Sequence, residues 1–300
     1  LDLGVKHIRL SAYWDEIEPF DSVYPERSRG TQGKPLFYFD DLDYYINQAE
    51  KHNANIILAI GYKLPRWPEC RAPEWLSQYQ QRHPEPAEGE ARHGRLDSGS
   101  ILRERQLIMV KEVISRYKEN PTITAFQIEN EPLLPFGGCP PVDRKFLHEE
   151  LKLVKSLSNK PVILTDAGEL RPWITPMKLS DIFGTTLYRK VQNKFIGDIY
   201  YPIPAWSYRL KSDLVRKFFA PNNQKTIIVE LQAEPWVSKP IQDIPVDSQI
   251  RGFPLNQLKE TVRFAKKTGF GEIYFWGVEW WYYLSSHGHP EYLDYAKGLF

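Results

Sequence analysis

Short, nearly continuous apolar runs alternate with longer amphipathic stretches along most of the chain. Asn55-Ile56-Ile57-Leu58-Ala59-Ile60-Gly61, Ile123 to Ile128, Lys160 to Asp166, Asp181 to Tyr188, Thr226 to Val229 and Glu272 to Gly277 have strand length and are rich in β-branched or aromatic residues. Apolar runs of this kind, without period-two alternation, predict strands buried on both faces of a parallel sheet. Between them the period changes to that of a helix. Phe39 to Lys51 puts Leu42, Ile46 and Ala49 on one face, and Ile101 to Tyr117 carries a stripe of Leu102, Leu107, Val110, Val113 and Ile114. Leu210 to Phe219 and Phe253 to Lys267, the latter closed by Gly269, predict two more helices. With Lys6 to Leu10 as a further short strand, seven strands are visible in βαβα order. The expected class is therefore α/β, a TIM (β/α)8 barrel. A doubly wound open sheet is the alternative, but it usually carries a glycine-rich phosphate turn after its first strand, and this chain has none.

Length agrees with a barrel, since 300 residues suit one such domain, 1–300, better than two ordinary ones. Two stretches, near 24–35 and 80–98, are polar or proline-rich without apolar period and read as loop insertions. Lys and Arg total 39 against 38 Asp and Glu, so a net charge of +1 makes no electrostatic case for nucleic acid or an anionic membrane. No apolar run approaches the roughly 20 residues that span a bilayer. Aromatic residues make up 14% of the chain, which suits either a sugar-binding cleft or a large barrel core. The two cysteines lack zinc or redox spacing, and His287 and His289 around a glycine read as a solvated loop, so no metal or cofactor is expected. The chain begins at Leu1, so a signal peptide cannot be read and localisation stays unknown.

The chemistry is expected where apolar runs end in acids. Ile123 to Ile128 leads into Glu129-Asn130-Glu131-Pro132, and the proline cannot continue a ladder, so a strand should deliver Glu131 to its C-terminal tip. Thr226 to Val229 ends similarly in Glu230, and the chain between has room for two strand-helix units. Parallel α/β barrels react at these strand ends, and two carboxylates in different environments are what glycosidic cleavage requires.

Asn130-Glu131-Pro132 together with Glu230 resembles the acid pair of the clan A glycoside hydrolases, family 5-like or family 42-like. The resemblance implies a retaining hydrolase of β-glycosidic bonds acting on an oligo- or polysaccharide, with Glu131 as acid/base on the fourth strand and Glu230 as nucleophile on the seventh. It implies that Asn130 donates to the sugar 2-hydroxyl, that Arg9 on the second strand lies close to Glu230, that Tyr188 bonds Glu230, and that Trp276 floors the sugar subsite. Rim packing is the other reading of Tyr188 and Trp276. With Arg9 on the second strand, the first strand is expected to be missing. Family 5 commonly has histidines where Thr186 and the Gly61-Tyr62 region stand here, while Glu230-Leu231-Gln232 is similar to the nucleophile strand of family 42. Glu129 would share a strand face with Glu131 and compete with it. Glu234 is expected as a loop acid near substrate, and Glu279 and Glu169 as loop acids on the same face. A non-catalytic carbohydrate-binding barrel, or a transglycosylase using the same pair, are the alternatives. Cys70 and Cys139 follow the third and fourth strands, which are neighbours in a barrel, so either a disulfide or two free thiols is expected; a bridge would favour an oxidising, exported location. A retaining mechanism would place the two carboxyls about 5 Å apart, with Arg9 and Tyr188 holding Glu230 ionised.

Overall fold

The computed structural model describes residues 3–19, 37–66, 69–76, 98–135, 138–193, 197–221, 223–237 and 240–300. The expected insertions therefore lie almost wholly outside the described residues. In chain order the elements are β1 (His7–Tyr13), α1 (Trp14–Ile17), α2 (Asp40–Lys51), β2 (Asn55–Gly61), α3 (Ser98–Tyr117), β3 (Ile123–Ile128), α4 (Arg144–Leu157), β4 (Val162–Asp166), α5 (Ile174–Leu179), β5 (Ile182–Leu187), β6 (Lys190–Asn193), β7 (Gly197–Tyr200), α6 (Ala205–Phe219), β8 (Lys225–Gln232), α7 (Val246–Gly252), α8 (Leu255–Lys267), β9 (Ile273–Trp276), α9 (Val278–Ser286) and α10 (Glu291–Lys297). Two compact units emerge. One runs from Arg9 to Val162; the other comprises Leu1–Ile8 and Ile163–Phe300.

In the Arg9–Val162 unit, β2 lies between β1 and β3. Strands β2 and β3 are parallel, with Ile57 opposite Ala125 and Ile60 opposite Ile128. Every residue of β2 after Asn55 is buried, as a strand covered on both faces requires. Helix α2 covers it with Leu42, Ile46 and Ala49, the face expected from the pattern, and Asn53 in the left-handed region ends that helix. Helix α4 is started by Asp143, whose carboxylate accepts from the Lys145 and Phe146 amides. Its inner face is Phe146, Leu147, Glu150, Leu151 and Val154. Helix α3 departs from the expected stripe. Val110, Val113 and Ile114 are buried, but Leu102 and Leu107 are only partly so, and Arg105 and Gln106 are buried instead. Arg105 is paired with the buried carboxylate of Glu18, and Gln106 donates to two further acids described below.

In the other unit β4, β5, β8 and β9 follow one another as parallel neighbours. Trp173, Phe183, Leu187, Leu231, Phe253, Trp280 and Trp281 fill its core. Helix α6 begins five residues earlier than its pattern suggests, directly after Pro204, whose extended backbone stands at the N-cap. Strand β8 runs on to Gln232, so Glu230 is not the last strand residue; it sits opposite Thr186, just past a register shift in β5. The antiparallel β6–β7 hairpin and helices α7, α9 and α10 were not legible as separate elements. Glu279, expected on a loop, stands in the first turn of α9. Among the described residues, no helix is long and apolar enough to cross a membrane.

Candidate active site

In the Arg9–Val162 unit, β3 stops at Ile128, and both Glu129 (φ 58°) and Glu131 (φ 45°) adopt left-handed backbone. Two such glutamates flanking one asparagine carry strain of about 1–3 kcal/mol each, a feature that gathers at functional sites. They also correct the expectation that Glu129 and Glu131 share a strand face: strand alternation has ended before either acid. The turn is held by the Glu129 amide donating to Ile60 O (2.9 Å) and the Asn130 amide donating to Lys63 O (2.6 Å).

Arg9, from β1, donates through Nε to Gln127 Oε1 and through Nη2 to Asn130 Oδ1, both at 2.7 Å. That bond assigns the accepting oxygen of the Asn130 amide, leaving its NH2 as the donor end. Gln127 in turn donates to the Glu129 carbonyl at 2.7 Å. Glu131 is partly buried, and its carbonyl accepts from the buried Lys63 ammonium at 3.3 Å. Cys70 and Cys139 are joined by a disulfide, with Cα atoms 5.2 Å apart, which ties the loop after β2 to the loop after β3.

Glu129 does different work. It is fully buried, and its carboxylate accepts from the amides of Tyr62 (2.9 Å) and Lys63 (2.6 Å) and from Gln106 Nε2 (2.5 Å). The same Gln106 nitrogen donates to Glu150 Oε1 at 2.6 Å. Burial raises both carboxyls above the usual range, and Glu150 is raised further by the charge of Glu129. Gly61 makes room for this group, since a Cβ there would lie 2.5 Å from the Glu129 carboxyl. Glu129 is thus an anchor for the exit of β2.

In the other unit, Tyr188 follows β5, and its hydroxyl donates to Glu230 Oε2 at 2.9 Å. Glu230 is buried at 5% exposure, with that oxygen bonded to a neutral donor. The Tyr188 amide donates to Glu169 Oε1 at 2.9 Å, and Tyr208 of α6 donates to the same oxygen at 3.0 Å. Burial pushes Glu169 up to about 7. Nearby Lys211 is pulled down to about 8 by burial, against the attraction of Glu169 and Asp166. Gln232, two residues beyond Glu230 on the same strand face, accepts from the Arg189 and Lys190 amides and donates to the Lys190 carbonyl.

Trp276 closes β9, pairing with Gln232, and is partly exposed. Glu234 lies against the next residue, Gly277, whose φ of 110° admits no side chain; a Cβ there would sit 2.6 Å from Glu234 Cβ. Glu279 is exposed. Trp236 was not singled out by sequence reasoning. Its ring, 49% exposed, meets Tyr188 edge-on at 5.3 Å. The available signal was an aromatic two residues after Glu234, beyond a strand already marked by its acid. The structure therefore groups Arg9 with Asn130 in one unit, and Tyr188 with Glu230 and Glu234 with the end of β9 in the other. His287 and His289 lie at the end of α9, where His287 Nδ1 is 2.7 Å from Tyr283 O and His289 faces Glu291 at 3.4 Å.

The profile of the glycoside hydrolase family 42 β-galactosidases matches residues 3–159, just over half of the chain. The chain belongs to this family. The matched span contains Arg9, Asn130 and Glu131, and family 42 thereby takes precedence over the family 5 likeness. Solved structures agree on the fold. A β-galactosidase from the haloarchaeon Halorubrum lacusprofundi is 16% identical, with a TM-score of 0.55, covering 92% of this chain and 49% of that one. A β-galactosidase from Marinomonas ef1 is 13% identical, with a TM-score of 0.57 and coverages of 91% and 50%. A family 5 mannosidase from Rhizomucor miehei is 15% identical, with a TM-score of 0.53 and coverages of 92% and 73%. The family 42 chain thus has the TIM-barrel fold of these glycosidases, and it spans about half the length of the β-galactosidases it matches. No curated protein sequence matches it.

Proposed function

We propose that the chain carries the catalytic machinery of a retaining β-glycosidase, with β-galactosides as its first candidate substrates because both its family and two similar structures are described as β-galactosidases. The observation that carries the reading is the Tyr188 hydroxyl bonded to Glu230 near the end of β8. A hydrogen bond to one carboxylate oxygen fixes the orientation of the group, which an attacking nucleophile needs. In the first step a Glu230 oxygen bonds the anomeric carbon, the glycosidic C–O bond breaks, and Glu131 delivers its proton to the departing oxygen. In the second, Glu131 takes a proton from water, whose oxygen displaces Glu230 and restores both carboxyls with the anomeric configuration retained. Asn130, its amide oriented by Arg9, would donate to the sugar 2-hydroxyl, while Trp276 and Trp236 offer ring faces to the sugar. Glu234 and Glu279 are assigned as substrate contacts beyond the reacting centre.

The test is covalent capture. Incubation with a 2-deoxy-2-fluoro-β-galactoside bearing an activated leaving group should attach one fluorosugar to Glu230, read by peptide mass spectrometry. Glu230→Gln should take up no label and lose turnover while keeping its circular dichroism spectrum. Label on another residue, inverted product, or sugar binding without any label would defeat the proposal, the last outcome pointing to a binding module. Oligosaccharide products formed in excess acceptor sugar would assign the same pair to transglycosylation.

A further inference from the structure

Glu169 reaches the proposed nucleophile through one intermediary. The loop that carries it, after β4, is pressed on the end of β5: a Cβ at Gly168 would stand 2.2 Å from the Thr186 carbonyl, so only glycine fits. Lys211 of α6 ties the same loop down, donating to Gly168 O at 2.8 Å with its ammonium 3.7 Å from the Trp173 ring centroid. Trp173 adds a bond from its indole nitrogen to Ala167 O at 2.9 Å. Glu169 is therefore held before it makes its own contacts. Its Oε1 gathers two donors, the Tyr188 amide and the Tyr208 hydroxyl. Tyr208 is itself buried, with its ring edge-on to Phe264.

We infer that Glu169 is a positioning residue for Glu230: by fixing the backbone of Tyr188 from the loop after β4, it sets where the Tyr188 hydroxyl presents its hydrogen bond to the nucleophile. This rests on the assignment of Glu230 proposed above. Tyr188 follows the last residue of β5, and the amide bond from Glu169 and the clamp of Gln232 on Arg189 and Lys190 grip the backbone at Tyr188 and just beyond it. Without Glu169 the turn would lose this bond at the Tyr188 amide itself. A misplacement of about 1 Å in a group that contacts the reacting atoms costs up to about a hundredfold in rate. The charged and titratable groups around Glu169 are Tyr208 and Lys211 from α6, Asp166 from β4, and Tyr201 and Arg189 near the hairpin. None of them replaces the bond to the Tyr188 amide.

The test is a double-mutant cycle read as the rate of Glu230 labelling by the fluorosugar in the full chain. Glu169→Ala should slow labelling about tenfold and Tyr188→Phe about thirtyfold, with the double variant within twofold of Tyr188→Phe alone. Glu169→Gln keeps a carbonyl oxygen for both donors and should recover most of the rate. Tyr208→Phe, which removes one donor and leaves the acid, should cost about threefold and also disappear in the Tyr188→Phe background, so the inference is tested even if Glu169→Ala does not fold. Multiplying effects, or a Glu169→Gln rate as low as that of Glu169→Ala in folded proteins, would overturn the inference and leave the nucleophile assignment standing. Absence of label on wild-type Glu230 would remove both.

Discussion

Replacing Glu150 with glutamine tests the buried carboxyl pair beneath the Glu131 turn. Glu129 and Glu150 share the Gln106 amide, and Glu150 Oε2 is buried without a donor among the described residues. A proton on that oxygen resolves both difficulties, because Glu150 then donates to Glu129 and only one charge is buried. The consequence is a dependence of stability on pH with a definite sign. A carboxyl whose native value is raised contributes stability that is complete below the ordinary value near 4.5 and lost as pH rises towards the raised one. While the folded protein keeps this proton and the unfolded chain loses it, each pH unit costs about 1.4 kcal/mol. From pH 5 upward the loss attributable to Glu150 accumulates, and Glu129 joins it as pH approaches its own value of about 7. Glutamine keeps the oxygen facing Gln106 and supplies a permanent donor towards Glu129. Urea unfolding of wild type and Glu150→Gln between pH 5 and 7 should give curves that diverge, the variant gaining relative stability as pH rises. Glu169 and Asp166 add slopes of the same sign to both proteins and cancel in the difference. Parallel curves would refute the shared-proton account.

Glu131→Gln should slow hydrolysis of alkyl β-galactosides at least a hundredfold, while a dinitrophenyl galactoside, whose leaving group needs no proton, should still label Glu230 at a rate within about tenfold of wild type. Equal losses on both substrates would remove Glu131 from the acid role. Gly277→Ala forces a side chain into Glu234 at a φ of 110° and should cost about 3 kcal/mol in urea unfolding; an unchanged midpoint would mean that the β9–α9 junction relaxes freely. Reducing the Cys70–Cys139 bridge, whose cysteines are 69 residues apart in sequence, should destabilise by about 4 kcal/mol and lower the melting temperature. An identical melt with and without reductant would show that the bridge does not constrain the unfolded chain.

The strands were legible because burial on both faces writes itself into sequence as continuous apolar runs, and β2 matches its run residue for residue. The acids that close these runs were legible as breaks in the apolar pattern, although β8 continues past Glu230 and both Glu129 and Glu230 stay buried. Two kinds of feature were not. The inner face of α3 carries Arg105 and Gln106, and no periodicity of apolar residues can announce a buried polar group whose partner, Glu18 or Glu129, is remote in sequence. The backbone reversal at Glu129 and Glu131 was equally hidden, because left-handed glutamates have no propensity signal and exist only where neighbouring bonds impose them.

That reversal bears on how acids at strand ends are to be told apart. Glu129 spends both carboxylate oxygens on backbone amides of a loop, those of Tyr62 and Lys63, and Glu169 spends one on the Tyr188 amide; both are raised in pKa by burial. Glu230, by contrast, accepts from a side-chain hydroxyl, a partner that can be moved or deleted without moving the main chain. Counting acids after apolar runs places all of them on one footing. The donors separate them: an acid whose lone pairs are filled by main-chain amides is committed to the fold, since releasing it for chemistry would orphan those amides at about 1–3 kcal/mol each. By this criterion Glu129 is an anchor of the fold, a physical argument beside the register of Asn130-Glu131-Pro132 for proposing Glu131 as the acid. The same criterion fits the positioning role proposed for Glu169, an anchor bonded to the residue that contacts the proposed nucleophile.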